Sequence, residues 1–158
     1  METVFERHSQ SAWRHLELRV ASERPIQFID LTERLDGLVA AAAIRTGLLT
    51  VQTRHTTTAI IVNEPEPLLM IDFAQLLEEI APASLPYRHD SSARVVNLTP
   101  HERTNGHAHC RALLLPTTAC LTIADGRMQL GRWQRILFVE LDGPQERSVS
   151  TVLVGDSR

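Results

Sequence analysis

The chain has 158 residues, 43% of them hydrophobic and 22% charged, with a formal net charge of −3. That is enough apolar material to build a buried core and excludes a disordered chain, while the mild acidity gives no overall basic footprint for nucleic acid. All sixteen basic residues are arginines, which removes both the Schiff-base lysine of carbonyl chemistry and the phosphate-cradling lysine of a P-loop.

Cys110 and Cys120 are the only cysteines and form no CxxC pair, and residues 1–20 hold no long apolar run. A reducing, cytoplasmic location is expected. Apolar runs such as Leu38 to Ile44 are far too short to cross a bilayer, so no membrane role is indicated.

Taken along the chain, residues 13–20 alternate as a half-buried strand does, with Trp13, His15, Glu17 and Arg19 on one parity and Leu16, Leu18 and Val20 on the other. After Pro25, IQFIDLT reads as a second strand. Thr32 then stands as N-cap to a helix over about 33–46, with Glu33 in the first turn and Gly47 past the end. The Thr-, Val- and Ile-rich stretch LLTVQTRHTTTAIIVNE predicts two strands meeting near His55. Beyond Pro65 and Pro67, LLMIDFAQLLEEIA puts Leu69, Phe73, Leu76, Leu77 and Ile80 at helical spacing.

Residues 82–105 read as an extended loop with short structure, of a length that is often functional. NGHAHCRALLL favours a short helix, and Asp125-Gly126 separates two extended runs as a hairpin turn would. RSVSTVLVG supplies a last strand. With no composition break, linker or repeat, the chain is expected to be one α+β domain over 1–158, with a mostly antiparallel sheet and two or three helices.

Seven histidines are more than packing requires. In HERTNGHAHC, residues 101–110, His107 and His109 share a face on a strand but take nearly opposite faces on a helix, so only one of them would point at a site. Cys110 is expected to pack as a small hydrophobe. His55 ends a strand, and Asn63 and Glu64 end the next, where the two ends can converge. Asp90 could orient the imidazole of His89. Trp133 is expected in the core, and DGP at 142–144 as a turn.

In order, HTTTAIIVNE, YRHD, NGHAHCRALLL, DGRMQLGRWQRILFVELDGP and the closing strand resemble the YjbQ family, over about residues 15–155. The resemblance implies a compact α+β fold, a homotrimer with pockets that subunits can share, and a secondary thiamine-phosphate synthase activity. That reaction joins a hydroxymethylpyrimidine diphosphate to a thiazole phosphate and releases pyrophosphate. Carried onto this chain, the family's site residues fall on His55, Asn63, Glu64, His89, Asp90, Asn105, His109, Trp133, Gln134 and Asp142, and leave His101 and His107 as bystanders. Three positions depart from the family's pattern: Arg132 replaces a threonine, Gln145 an arginine and Pro116 a glycine. Arg147 or Arg132 would then supply the lost charge.

On that resemblance, His55, His89 and His109 are the candidate ligands of a divalent metal, zinc by ligand type or magnesium by the needs of pyrophosphate. Glu64, Asn105 and Asp90 are the candidate catalytic residues, and Asn63, Trp133, Gln134, Asp142 and Arg147 would bind a small-molecule substrate. Two other readings stand beside the transferase: a metal-dependent hydrolase of a phosphorylated or acylated metabolite, and a non-catalytic trimeric binding protein.

Overall fold

The computed structural model describes residues 11–91, 93 and 103–157. Its elements in order are β1 (Ser11–Ala21), β2 (Gln27–Asp30), α1 (Thr32–Ala42), β3 (Ile44–Thr53), β4 (Thr58–Asn63), α2 (Pro67–Ile80), a 3-10 turn at Arg88–Asp90, α3 (Gly106–Ala112), β5 (Thr118–Ala124), β6 (Arg127–Met128), β7 (Arg135–Glu140) and β8 (Glu146–Ser157). The strands form two antiparallel sheets, ordered β1-β8-β3-β5-β6 and β2-β7-β4. The fold is α+β, as the sequence predicts.

The apolar run of β7 explains how the layers stack. Ile136 and Phe138 face a main core with Leu49, Val51, Ile123, Val149 and Leu153 of the larger sheet and Leu35 and Val39 of α1. Val139, on the other parity, joins Ala59, Leu77, Ala108 and Ala112 in a second cluster under α2 and α3. A strand covered on both faces needs no polar alternation, which is why RILFVE reads as a continuous apolar run.

Three sequence expectations change. The first helix stops at Ala42, where Ala43 takes a left-handed φ of 54°, and Ile44 already belongs to β3. Thr32 opens that helix without capping it: its hydroxyl accepts from the Ile136 N–H at 2.9 Å, while Asp30 Oδ1 accepts from the Thr32 N–H at 2.8 Å.

Gly47 is therefore no helix terminator. It lies opposite Gly155 where β3 meets β8, and a Cβ on it would fall 2.1 Å from the Val154 carbonyl oxygen. Gly47→Ala must push the two strands apart, an overpacking cost expected at about 1–3 kcal/mol. Urea unfolding checks this, and an unchanged midpoint would show that the strands yield freely.

The third change concerns the hairpin. Asp125 and Gly126 do form its turn, both with positive φ, but it joins β5 only to the two-residue β6. The second extended run, β7, crosses into the other sheet between β2 and β4.

Candidate functional site

The site is built around the N-terminus of α3. Helix-initial N–H groups need acceptors, and Asp90 Oδ1 takes those of both Asn105 and Gly106 at 2.9 Å each. The 3-10 turn carrying Asp90 is thus tied to the helix carrying His109. Gly106 permits the approach, because a Cβ there would fall 2.4 Å from Tyr87 Cβ. The Tyr87 hydroxyl in turn donates to the Pro82 carbonyl at 2.9 Å.

This clamp sets the His89 and His109 rings edge to face, with centroids 4.6 Å apart. His107 departs on the other side of the helix and lies 6.3 Å from the Tyr87 ring, so the helical geometry does divide the HxH pair. Cys110 is exposed rather than packed. The helix instead buries Arg111, whose Nε donates to the Ala81 carbonyl at 3.0 Å and whose guanidinium pairs with Glu78. His101 lies outside the described residues.

Asn105 links the helix to the loop after β7. Its Nδ2 donates to Asp142 Oδ2 at 2.8 Å, while its Oδ1 is buried without a hydrogen-bond partner among the described residues. Asp142 also pairs with Arg103 at 3.4 Å, and Arg103 donates to the Gly143 carbonyl at 2.9 Å.

Behind Asp142 stands Glu140, which has no exposed surface. Its Oε1 accepts from the backbone N–H groups of Leu141 and Asp142, and both oxygens accept from the Arg147 guanidinium at 2.8 Å. Ser22 donates to Oε2 at 3.1 Å. Burial alone would push the Glu140 carboxyl up, but the hydrogen bonds from Arg147, from the Asp142 N–H and from Ser22 outweigh it and hold the group below the ordinary carboxylate value.

Arg147 also reaches Thr57 Oγ1 at 3.3 Å, beside His55. His55 Nε2 accepts from the Ser148 N–H at 2.9 Å, which leaves the proton of the neutral ring on Nδ1. Burial, and then the charge of Arg147, lower its pKa. A cleft of about 330 Å³ opens here, lined by His55, Arg147, Ser148, Glu17, Arg19 and Glu146.

Burial and then Arg111 lower the pKa of His107 as well. Both imidazoles therefore take up protons more readily in the unfolded chain, and stability is expected to fall as pH drops through the ordinary histidine range near 6.5. Glu140 adds a further loss at lower pH: its contribution, present above the usual carboxylate value, disappears as pH falls through the depressed folded one. Urea midpoints at pH 8, 6 and 4 measure this, and a midpoint that climbs towards pH 4 would contradict it.

The remaining candidate residues stand elsewhere. In the β4–β7 register Thr58 lies opposite Glu140, whereas Asn63 lies opposite Arg135. Asn63, Glu64, Trp133 and Gln134 therefore sit at the far end of β4 from His55, a separation of about 17 Å along the strand at ~3.4 Å per residue. Within one chain the two strand ends do not converge. At that far end, Asn63 Oδ1 accepts from the Glu64 N–H at 2.9 Å, and Gln134 Oε1 accepts from the Gly131 N–H at 2.7 Å. Trp133 is 59% exposed rather than in the core, with Arg132 stacked 4.6 Å from its ring centroid. Of the other departures, the Pro116 carbonyl accepts from the Ile60 N–H, and the Gln145 N–H donates to Ser22 Oγ.

Among the described residues no three His, Cys, Asp or Glu side chains are arranged to hold a metal ion. The His89–His109 pair is compatible with two ligand positions: imidazoles sharing a tetrahedral zinc at ~2.1 Å have ring centres about 5 Å apart. His55 is held apart with its Nε2 engaged. Sequence reasoning missed Glu140, Ser22 and Arg103. Glu140 alone left a usable signal, a carboxylate closing an otherwise apolar strand, which demands a buried cation.

A model of the family described as UPF0047 protein YjbQ-like matches residues 16–156. A UPF0047 protein of Methanothermobacter thermautotrophicus is 34% identical over 139 residues, covering 88% of this chain and 90% of its own length. One from Archaeoglobus fulgidus is 35% identical over 134 residues, covering 85% and 96%. Among solved structures, a YbjQ-like protein of unknown function from Sulfolobus solfataricus P2 superposes with a TM-score of 0.83 at 27% identity, over 93% of this chain and all of its own. A hypothetical protein from Aeropyrum pernix K1 gives 0.80 at 34% identity, over 90% and 99%. No helix among the described residues is long and apolar enough to cross a membrane. With the family model spanning nearly the whole chain and relatives this similar along their full length, the chain belongs to the YjbQ-like UPF0047 family.

Proposed function

We propose that the chain is a divalent-metal-dependent enzyme acting on a small phosphorylated metabolite, and that its reaction is the thiamine-phosphate synthase-like transfer the family resemblance implies. The observation that carries the metal-dependent part is the His89–His109 pair, held by Asp90, Asn105 and Asp142. His89 and His109 would hold the cation, which would offset the charge on departing pyrophosphate. In the transfer, the carbon–oxygen bond to pyrophosphate breaks with its electron pair leaving on oxygen, a carbon–nitrogen bond to the thiazole forms, and the released pyrophosphate takes up a proton from solvent.

Because Asn63, Glu64, Trp133 and Gln134 stand about 17 Å along β4 from the His55 end, we assign the working site to a homotrimer in which one copy supplies its histidine end and a neighbour its Glu64 end. Two exposed, unbridged cysteines suit a reducing cytoplasm.

Hydrolysis is the second reading, and a specific pattern favours it. The α3 N-terminus, Arg103 and Arg147 are already matched by Asp90, Asp142 and Glu140, so the local positive charge is neutralised internally and a bare diphosphate gains little from it.

The test is pyrophosphate release by chelator-stripped protein reconstituted with zinc or magnesium. Release that requires both precursors and the metal supports the transfer. Phosphate from one precursor alone establishes the hydrolase, and protein that binds no metal and is unaffected by His109→Ala overturns both.

A further inference from the structure

At the far end of β4, away from the histidines, Glu64, Pro65, Glu66, Arg132, Trp133 and Arg135 line a cleft of about 240 Å³. Its walls are chemically unequal. Glu66 is committed to capping α2, where it accepts from the Leu69 N–H at 2.7 Å, and Arg135 donates to the Gln134 carbonyl at 2.8 Å. Arg132 lies over the Trp133 ring. The Glu64 carboxylate is half-buried yet makes no hydrogen bond or ion pair among the described residues. The cleft thus pairs a broad aromatic surface with one acceptor lacking a donor.

We propose that this cleft is a binding site for a planar, neutral, N–H-donating heteroaromatic ring, which stacks on Trp133 and donates to the Glu64 carboxylate. Stacking follows from the ring's exposure: Trp133 is 59% exposed and lines the cleft, with Arg132 4.6 Å from its ring centroid. Neutrality suits the cleft because its two guanidiniums are balanced by the carboxylates of Glu64 and Glu66, so it selects no net charge. The N–H donor follows from Glu64, because a carboxylate can only accept. An aminopyrimidine has this shape and pattern. The match to the pyrimidine precursor rests on the transfer reading above, but the pocket does not.

The experiment uses Trp133 as its own reporter. Trp13 is the only other tryptophan and is 67% exposed on β1, so Trp13→Phe leaves one tryptophan, excited selectively at the red edge away from Tyr87, and an intact core. The protein is titrated at pH 8 with 4-aminopyrimidine and, separately, with 4-methylpyrimidine, which has the same ring without the amino group. The expected result is saturable quenching by the amine. Binding of the methyl compound, and of the amine to Glu64→Ala, is expected at least about tenfold weaker, the loss of one hydrogen bond to a charged group.

Equal binding of the two rings, indifference to Glu64→Ala with circular dichroism unchanged, or absence of quenching would overturn the proposal. So would a Trp133 shielded from acrylamide in the ligand-free protein, since a second copy would then cover the cleft. Pyrophosphate release without quenching would keep the transfer reading and remove this pocket, whereas quenching without release would do the reverse.

Discussion

Arg147→Ala should be among the most destabilising single substitutions in the chain, by about 3–5 kcal/mol, because it strands a buried carboxylate. Glu140 has no exposed surface and takes two guanidinium hydrogen bonds at 2.8 Å. Removing the cation leaves desolvation of the carboxylate, already the largest influence on its pKa, without its main counterweight. For a chain of this length the loss corresponds to a drop of about 6–20 °C in the unfolding midpoint, at roughly 2–4 °C per kcal/mol. Calorimetry measures it. Adding Glu140→Gln to Arg147→Ala should recover part of the loss, since a neutral amide is cheaper to bury than an unpaired charge. If the double variant is no more stable than Arg147→Ala alone, the stranded charge is not the cause.

The second large effect concerns metal. Outer partners of metal-bound histidines typically contribute 10–100-fold in affinity, so if His89 and His109 hold zinc as proposed, His109→Ala should weaken its binding by more than about 100-fold. His107→Ala should change it only a few-fold, because that ring lies beside Tyr87 on the other side of α3. Asp142→Asn should fall between them, acting through Asn105 on the seating of the helix. Zinc titration against a competing chelator orders the three variants. A His107→Ala loss equal to that of His109→Ala would mean that the helix does not sort the pair.

Much of this was legible in local sequence. Alternation marked β1, Pro67 and the apolar spacing marked α2, and i, i+2 geometry on a short helix separated His107 from His109. What failed was non-local. Gly47 looked like a helix terminator because a glycine after helix-forming residues has that meaning alone, whereas its true constraint is the backbone of β8, more than a hundred positions away. Asp125-Gly126 gave the right turn, but nothing local shows that β7 leaves its hairpin neighbour for another sheet. Residue types at the site could be carried over from the family resemblance, but their grouping could not, because it depends on which end of β4 each one occupies. Glu140 escaped for a related reason: its partner Ser22 lies 118 positions away, and Arg147 reaches it only across the turn after β7.

The length of β4 has a kinetic consequence. Small metabolites extend well under the ~17 Å that separates Thr58 from Asn63 along an extended strand. Chemistry that draws on both ends must therefore be completed by a second molecule of the protein, and turnover per chain becomes a function of chain concentration. If the proposed transfer is shared between copies, diluting the protein below the dissociation constant of that assembly should lower its specific activity even at saturating substrate, whereas a reaction confined to one end of the strand would be indifferent to dilution.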